Sequence, residues 1–380
     1  DLPTADKSLF EKYGALTTQL NIMTTRGCPY ECTFCVNSFR NSLYSGQVYL
    51  RQRSAKNVIE GITELQKTYK FKSVRFHDDV FAFNVKWLRE FKEEYVKHVN
   101  LPFHCYVTPA TAKEEIIRLL AEAGCTKISI GVQSGSEAIR TKLLNRKHTD
   151  DDIVEACHRI RKHGIKISAE FIFGFPEETP EDMWKSLNLS DRLNANYSPS
   201  FVFYPYPKTE LAEYCLEKGY LNEKNYELVK KGYGSYHTTG WLDLPYMDDV
   251  YKFAKVLPIY TVCPKFLRPL LRKIIKMKYG FIHKFLAVLA IPAIDPQEFV
   301  KRVKEMPKMF FATRKALRVD DWKKKPKKTV TREKTAVETF ADQEKITPKP
   351  YLVKESLTSG SKVVAEPWTN KIDRNSPIKD

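Results

Sequence analysis

The sequence predicts an α/β fold, a partial (β/α)6 TIM-like barrel with a C-terminal helical extension and a disordered tail. Two observations predict the barrel. Six short apolar runs alternate with amphipathic helical patterns between about residues 20 and 217. Strands that alternate with helices pair in parallel through right-handed crossovers. Six units are fewer than the eight that close a TIM barrel, so we expect the sheet to remain open.

Each predicted strand is a short apolar run that ends at a polar or glycine-containing loop. The runs are Leu20–Thr25, Ser73–His77, Phe103–Thr108, Lys127–Val132, Ile165–Phe173 and Ser200–Tyr204. In parallel α/β folds, active sites form in the loops at the carboxyl ends of the strands. We therefore expect functional residues directly after these runs.

Capping residues mark the helices between the strands. Ser54 caps the first helix, and a second helix covers about residues 84–98. Thr111 is expected to cap a third helix over residues 113–123, which Gly124 ends. A fourth helix follows to Gly164. The start of the fifth, at Thr179–Asp182, combines an N-cap, a proline and an acidic first turn. A sixth, over residues 210–217, closes the series.

The positive charge is concentrated in the last third of the chain. The formal net charge is +17, yet residues 1–239 carry 33 basic and 30 acidic side chains. We divide the chain into four parts on this basis. They are a lead-in from an upstream domain at 1–15, a catalytic core at 16–225, a basic helical extension at 226–322 and a disordered Lys-, Pro- and Thr-rich tail at 323–380. The lead-in is inferred because the first residue is Asp1 and not Met.

Cysteine usage predicts a reduced, cytoplasmic protein. Three of the eight cysteines lie together, at Cys28, Cys32 and Cys35, whereas the other five have no framework spacing. Of those five, we expect Cys105, Cys125 and Cys157 to be small buried side chains, whereas Cys215 and Cys263 are simply scattered along the chain. No apolar run reaches the length of a membrane-spanning helix, the best being Phe285–Ile294.

The three clustered cysteines follow the first predicted strand. Soft thiolate ligands select zinc, copper(I) or iron–sulfur clusters. A structural zinc site normally has four protein ligands, and the other cysteines offer no paired Cys-x-x-Cys. Three ligands on a four-iron cube leave one iron open for a small molecule. A zinc site remains the alternative interpretation.

The segment Cys28-Pro29-Tyr30-Glu31-Cys32-Thr33-Phe34-Cys35 resembles the Cys-x-x-x-Cys-x-aromatic-Cys signature of the radical S-adenosylmethionine (SAM) enzymes. The resemblance covers roughly residues 12–222. It is closest to the subgroup associated with a cobalamin-binding domain, typified by the anaerobic magnesium-protoporphyrin IX monomethyl ester cyclase. Other matching stretches are Tyr49–Ser54, Phe76–Phe81, Gly131–Gly135, Phe173–Thr179 and Pro205–Pro207.

The resemblance implies that Cys28, Cys32 and Cys35 hold a 4Fe-4S cluster. The open iron would bind SAM, and the cluster would cleave it to a 5′-deoxyadenosyl radical that abstracts a hydrogen from substrate. It also implies an electron donor such as flavodoxin or ferredoxin. Cobalamin would come from an upstream domain, because this chain lacks the Asp-x-His-x-x-Gly signature.

The resemblance also assigns SAM contacts, each with an ordinary alternative. Asp78 and Asp79 would lie near the SAM ammonium, or form a solvated acidic turn. Arg146 would bind the SAM carboxylate, or form a surface ion pair. Gln133 replaces a glutamate that contacts the ribose in relatives, so the charge at that position is lost. Phe34 would pack beside the adenine, or simply fill a tight loop. Ser168 and Phe171 would line the adenine site, or belong to the plain barrel core. Lys208 stands where relatives often carry glycine, and no role is assigned to it.

Residues outside the motif give weaker signals. His77 and His104 lie at the ends of two predicted strands and could face the barrel lumen, although such residues are more often ordinary polar side chains. Residues 263–294 contain seven Lys or Arg among apolar side chains, a pattern typical of a helical cap or of a peripheral membrane contact. We favour the cap. Nucleic acid is not expected as a partner, because the tail has few aromatics and no recognisable binding module.

Three functions therefore compete. The first is a radical SAM enzyme that methylates, cyclises or oxidises a small or lipid-like metabolite, with or without cobalamin. The second is radical SAM modification of RNA or peptide. The third is a non-catalytic metal-binding scaffold.

Overall fold

Six parallel strands form one curled sheet at the centre of the computed structural model. The structure describes residues 6–8, 18–44, 46–47, 49–237 and 239–289. The sheet strands run in chain order from one edge to the other, and every neighbouring pair is parallel. They are β1 Gln19–Ile22, β4 Ser73–Phe76, β5 Phe103–Val107, β6 Cys125–Gln133, β7 Lys166–Phe173 and β8 Ser200–Val202. The predicted α/β half-barrel is thus confirmed.

Two further strands lie outside the main sheet. β2, Thr25–Arg26, pairs antiparallel with β3, Arg51–Gln52. The first predicted strand, Leu20–Thr25, is therefore divided. Its first half pairs with β4, and the chain then leaves the sheet to pair with β3.

Helices connect the strands and continue after them. The described helices are α1 Val36–Leu43, α2 Ala55–Thr68, α3 Val85–His98, α4 Glu114–Glu122, α5 Asp150–Lys162, α6 Pro180–Leu193, α7 Glu210–Glu217, α8 Glu223–Lys230, α9 Met247–Val262, α10 Arg268–Lys276 and α11 Phe281–Leu289. Single turns of 3₁₀ helix occupy Pro109–Thr111 and Lys265–Leu267, and a π-helical turn occupies Ile139–Leu143.

The predicted helix starts are correct in two places and wrong in one. The Ser54 side chain accepts a hydrogen bond from the backbone N–H of Asn57, and Thr179 forms a capping box with Asp182. Thr111, however, does not cap α4. It ends a 3₁₀ turn that Thr108 caps, because Pro109 starts that turn two residues before the position expected.

The two faces of the sheet have opposite characters. On β7, the side chains of Ile167, Ala169, Phe171 and Phe173 are buried in the apolar core that includes the surrounding helices. Because side chains alternate along a strand, Ser168 and Glu170 point to the opposite, inner face. Phe171 is therefore part of the plain core and does not line an adenine site.

The helical extension packs against the barrel as far as it is described. Asp191 on α6 forms ion pairs with Arg268 at 2.6 Å and Arg272 at 2.9 Å. The buried side chains of Leu271, Ile274 and Ile275 belong to the same core as the sheet. The expected cap is thus present up to residue 289. Most of the lead-in at 1–15, of which only residues 6–8 are described, the extension beyond residue 289 and the tail at 323–380 lie outside the described residues.

Candidate functional site

The three clustered cysteines lie on the loop that follows β2, near the carboxyl end of β1. Gly27 opens this loop with φ +93°, and a Cβ there would stand 2.9 Å from the ring of Tyr49. Only glycine satisfies both the backbone angle and the close approach. The loop is then fixed by side-chain amides, with Asn41 donating to the carbonyl of Cys28 at 3.1 Å and Asn145 donating to that of Glu31 at 3.0 Å.

The cysteine side chains are free thiols held in a partly buried setting. Cys32 is buried, and Cys28 and Cys35 are half-buried. Burial, together with the charges of Cys32, Cys35 and Asp79, raises the pKa of Cys28 to about 12. Burial also raises the pKa of Cys35. Three thiolates are stable here only beside a compensating positive charge, which bound iron would provide.

Arg146 supplies one positive charge at this site. Its Nη1 lies 3.5 Å from the Sγ of Cys32, and its Nη2 donates to the carbonyl of Gly131 at 2.7 Å. Its Nε is buried without a hydrogen-bond partner in the described structure. The predicted surface ion pair is wrong for this residue, since its side chain is buried and turned to the cysteines.

Arg140 holds the loop that carries Arg146. Its side chain has 0% exposure. It donates to the carbonyls of Ser134 at 2.8 Å and His148 at 3.0 Å, and to Asp150 at 2.6 Å. The backbone N–H of Arg146 donates to the carbonyl of Arg140 at 2.8 Å. Arg140 therefore positions Arg146 although it does not itself reach the cysteines.

The two neighbouring aspartates have different surroundings. Asp78 is buried, and its Oδ1 accepts hydrogen bonds from the backbone and hydroxyl groups of Thr24 and Thr25. This carboxylate joins β4 to the turn between β1 and β2, so its contacts are structural and not those of a solvated turn. Asp79 is exposed on the side of Cys28 and Cys35, where its charge raises the pKa of both thiols. Of the two, Asp79 is the one that faces the cysteines.

Gln133 ends β6 in an unusual backbone conformation. Its φ is +71°, in the left-handed region. Its amide nitrogen lies over Gly131, 2.5 Å from where a Cβ on that residue would stand. Gly131 thus allows the Gln133 amide to lie next to the carbonyl that Arg146 binds.

The other residues that the resemblance singled out lie in different parts of the barrel. Phe34 packs edge-on against Phe175, with 6.0 Å between the ring centroids. Ser168 lies beside Ser129 in the register of β6 and β7, and its bridge partner is Tyr197. The contacts described for Ser168 therefore tie it to the inner face of the sheet and not to the cysteine loop. Lys208 has φ +67°, in the left-handed region that favours glycine.

A buried carboxyl group lies behind Phe34. Glu178 is fully buried, and its Oε2 accepts hydrogen bonds from the backbone N–H groups of Gly174 at 2.6 Å and Phe175 at 3.3 Å. Burial raises its pKa to about 8. The side chain fixes the turn that carries Phe175, and this role could not be inferred from the glutamate alone.

The inner face of the sheet carries a polar cluster that the sequence analysis largely missed. Arg75 donates to the hydroxyl of Tyr106, and its Nε is buried without a described partner. His104 bonds the hydroxyl of Ser129 at 3.0 Å, and burial lowers its pKa to about 3. His77 bonds Asn21 at 3.0 Å. The alternation of strand residues could have indicated this cluster, because Arg75, His77, His104 and Tyr106 all occupy inward positions.

Tyr206 lies near enough to the cysteine loop for the charge of Cys35 to contribute to its raised pKa, after burial and the neighbouring tyrosines Tyr236 and Tyr204. Tyr206 belongs to the matching stretch Pro205–Pro207, so its place near the site was available from the sequence.

No set of three His, Cys, Asp or Glu side chains in the described ranges is arranged to ligate a single metal ion. This finding concerns ligands that share one ion. Cysteines that hold separate iron atoms of a cluster do not share an ion.

Comparison with known proteins identifies the domain. Residues 22–190 match the family model of the radical SAM superfamily. An uncharacterized methyltransferase of Pyrococcus horikoshii is 28% identical over 228 residues, which are 59% of this chain and 48% of that protein. The anaerobic magnesium-protoporphyrin IX monomethyl ester cyclase of Rubrivivax gelatinosus is 25% identical over 189 residues, 49% of this chain and 33% of that protein.

A relative with a different named activity is also similar. The tRNA-2-methylthio-N(6)-dimethylallyladenosine synthase of Ehrlichia ruminantium is 30% identical over 202 residues, 51% of this chain and 44% of that protein. The chain therefore spans about half or less of the length of these curated relatives. The expected resemblance to the radical SAM superfamily and to the cyclase is confirmed.

Proposed function

Since residues 22–190 form a radical SAM domain, we propose that this chain binds a 4Fe-4S cluster and SAM and uses them to abstract hydrogen from a substrate. The superfamily uses these two cofactors, and when bound they supply an electron and a 5′-deoxyadenosyl radical. The observation that carries the proposal is the pairing of Arg146 with Cys32 on a three-cysteine loop.

Different residues of the chain would bind and orient the cluster and SAM. Cys28, Cys32 and Cys35 would hold three irons as soft thiolate ligands. Arg146 offsets the negative charge of the thiolates and is placed to attract the SAM carboxylate. Asp79 faces the cysteines from the other side, where a carboxylate attracts the SAM ammonium. Asp78 holds the β1–β2 turn in place.

We assign the substrate to the class of small or lipid-like metabolites. The inner face of the sheet offers side chains that suit a compact polar group, including Arg75, Tyr106 and His104. Reaction there could be methylation, cyclisation or oxidation, and the names of the methyltransferase and cyclase relatives support the first two. Modification of RNA is the alternative, and the tRNA-modifying relative favours it.

Further partners complete the proposal. A radical SAM reaction needs an electron donor, for which flavodoxin or ferredoxin is suited. Cobalamin bound by a separate domain would serve a methylation. The proposed location is the cytoplasm, where thiols remain reduced. Within the described residues, no helix is long and apolar enough to cross a membrane.

Anaerobic reconstitution with iron and sulfide tests the proposal. We expect the reconstituted protein to show the absorption and EPR spectra of a 4Fe-4S cluster and to release 5′-deoxyadenosine from SAM after reduction. Ser substitution of Cys28, Cys32 or Cys35 should abolish both properties. Cys105→Ser is the matched control, because Cys105 lies on β5, is fully buried in the apolar core and is not part of the cysteine loop. A reduced protein that holds no cluster and yields no 5′-deoxyadenosine would contradict the proposal. A cluster without SAM cleavage would favour the scaffold.

A further inference from the structure

The last described helices expose an unusual number of apolar side chains. Seven of the fourteen large apolar side chains that are exposed in the described part of the chain fall between residues 266 and 285. They are Phe266, Leu267, Leu270, Met277, Phe281, Ile282 and Phe285. Phe266 is 79% exposed and Phe281 is 78% exposed. Exposed apolar side chains this concentrated mark an interaction surface.

These side chains are not needed to attach the helices to the barrel. The opposite face of α10 already places Leu271, Ile274 and Ile275 in the core. α11 is joined to α10 through His283, whose buried ring bonds the carbonyl of Ile274 at 3.0 Å. A second set of apolar side chains on the same segments therefore takes no part in packing the cap against the barrel.

The charged residues of the same segment separate into two groups. Arg268 and Arg272 are half-buried and pair with Asp191 at 2.6 Å and 2.9 Å. The lysines are exposed instead. They are Lys265, Lys273, Lys276, Lys278 and Lys284. The arginines thus attach the cap. The lysines are exposed on the same segments as the apolar side chains, and one of them, Lys276, also lies over the ring of Trp184 at 5.9 Å.

The segment itself carries no acidic side chain to offset the charge of its lysines. The sequence contains no Asp or Glu between Asp249 and Asp295. A surface of aromatic and aliphatic side chains with interleaved lysines matches an anionic bilayer. Apolar side chains enter the boundary between head groups and acyl chains, and lysines extend to the lipid phosphates. Aliphatic side chains such as Leu270 and Ile282 do not stack on bases, so single-stranded nucleic acid fits this surface less well.

We propose that the exposed face of residues 264–285 binds the surface of an anionic lipid membrane. The occupant is the bilayer itself, and the contact is peripheral. The residues that make it are distinct from the cysteine loop, so this binding does not require the cluster or SAM. A barrel held at a membrane would meet lipid-like substrates where they are concentrated.

Vesicle flotation of the full chain tests this inference. The probes are vesicles of phosphatidylcholine alone and of phosphatidylcholine with about one-third phosphatidylglycerol. We expect binding to the anionic vesicles only, with a loss of affinity as salt is raised. The double variant Phe266→Ser/Phe281→Ser should bind at least about tenfold more weakly. Lys273→Glu/Lys278→Glu should lose about fivefold or more per charge.

A matched control uses exposed apolar side chains elsewhere on the molecule. Leu43 is 61% exposed and Val96 is 43% exposed, and the double variant Leu43→Ser/Val96→Ser should bind as the parent does. Unchanged thermal unfolding verifies that each variant is folded. Failure of the full chain to float with anionic vesicles would overturn the inference. So would equal binding to neutral vesicles, or a Phe266→Ser/Phe281→Ser variant that binds normally. Binding of an RNA oligonucleotide in place of the vesicles would assign the surface to nucleic acid instead.

Discussion

The guanidinium of Arg146 lies against the sulfur of Cys32, with 3.5 Å between Nη1 and Sγ. The same guanidinium binds the carbonyl of Gly131 at 2.7 Å. One side chain therefore connects the cysteine loop, which follows the first strands, with the end of β6, a central strand of the sheet. A buried positive charge beside a cluster ligand also influences the reduction potential of the site.

Arg146→Met should lower the reduction potential of the reconstituted cluster. Loss of the positive charge disfavours the reduced, more negative form, and we expect a decrease on the order of 50 mV. An EPR-monitored redox titration measures it. Arg118→Met is the control, because Arg118 is 48% exposed and pairs with Glu122 on the outside of α4. An unchanged potential in the Arg146 variant would show that this guanidinium does not act on the cluster.

Asp78→Ala should destabilise the fold more than Asp79→Ala. The Asp78 carboxylate accepts four hydrogen bonds from Thr24 and Thr25, and its removal leaves their buried N–H and O–H groups without a partner. We expect the free energy of unfolding to fall by about 3 kcal/mol for Asp78→Ala. Asp79 is exposed, and its removal should change this free energy by less than about 1 kcal/mol. Urea unfolding measures both, and equal losses would contradict the structural role of Asp78.

Glu178→Gln should remove part of the pH dependence of stability. Burial raises the pKa of Glu178 from 4.5 to about 8, so the folded state favours the protonated form. Its contribution is fully present below pH 4.5 and is lost as the pH rises to about 8, at up to about 1.4 kcal/mol per pH unit. Glutamine keeps an acceptor for the N–H of Gly174 and does not ionise. The unfolding free energies of the parent and the variant should therefore differ less at pH 5.5 than at pH 8, where ionisation of Glu178 destabilises the parent. A constant difference would contradict the assignment.

Arg140→Met should loosen the loop that carries Arg146. The substitution leaves the carbonyls of Ser134 and His148 and the carboxylate of Asp150 without their donor. Removing one partner of a buried ion pair costs about 3 kcal/mol or more. Hydrogen exchange over residues 134–150 should accelerate together with a fall in the unfolding free energy. Arg192→Met, which removes an exposed partner of Asp150 and Asp151, is the control and should have little effect. Protection that persists in the Arg140 variant would count against its positioning role.

Much of the fold was predictable because its signals are local. The helix from Glu210 to Glu217 has the predicted bounds, and the capping box at Thr179 needs only residues three apart. Thr111 shows the limit of local signals. It is a good N-cap by residue type, yet the proline two positions earlier starts a different turn.

The candidate site was predictable only in part. The cysteine spacing is a local pattern, so the loop that holds all three could be predicted. Asp78 and Asp79 are adjacent and chemically identical, and only the position of Thr24 and Thr25 decides which one is buried. The assignment of Arg146 depended on resemblance, because its contact with Cys32 spans 114 positions in the chain. Inward-facing residues such as Arg75 acquire their neighbours only when the sheet forms.

Helix α6 acts as a rod between the cap and the cysteine site. Its 14 residues span roughly 20 Å. At one end, Glu178 and Thr179 fix the turn whose Phe175 supports Phe34. At the other end, Asp191 binds both arginines of the cap. The cap and the turn that supports Phe34 are therefore linked through one helix, and we expect a displacement of α6 at Asp191 to reach that turn.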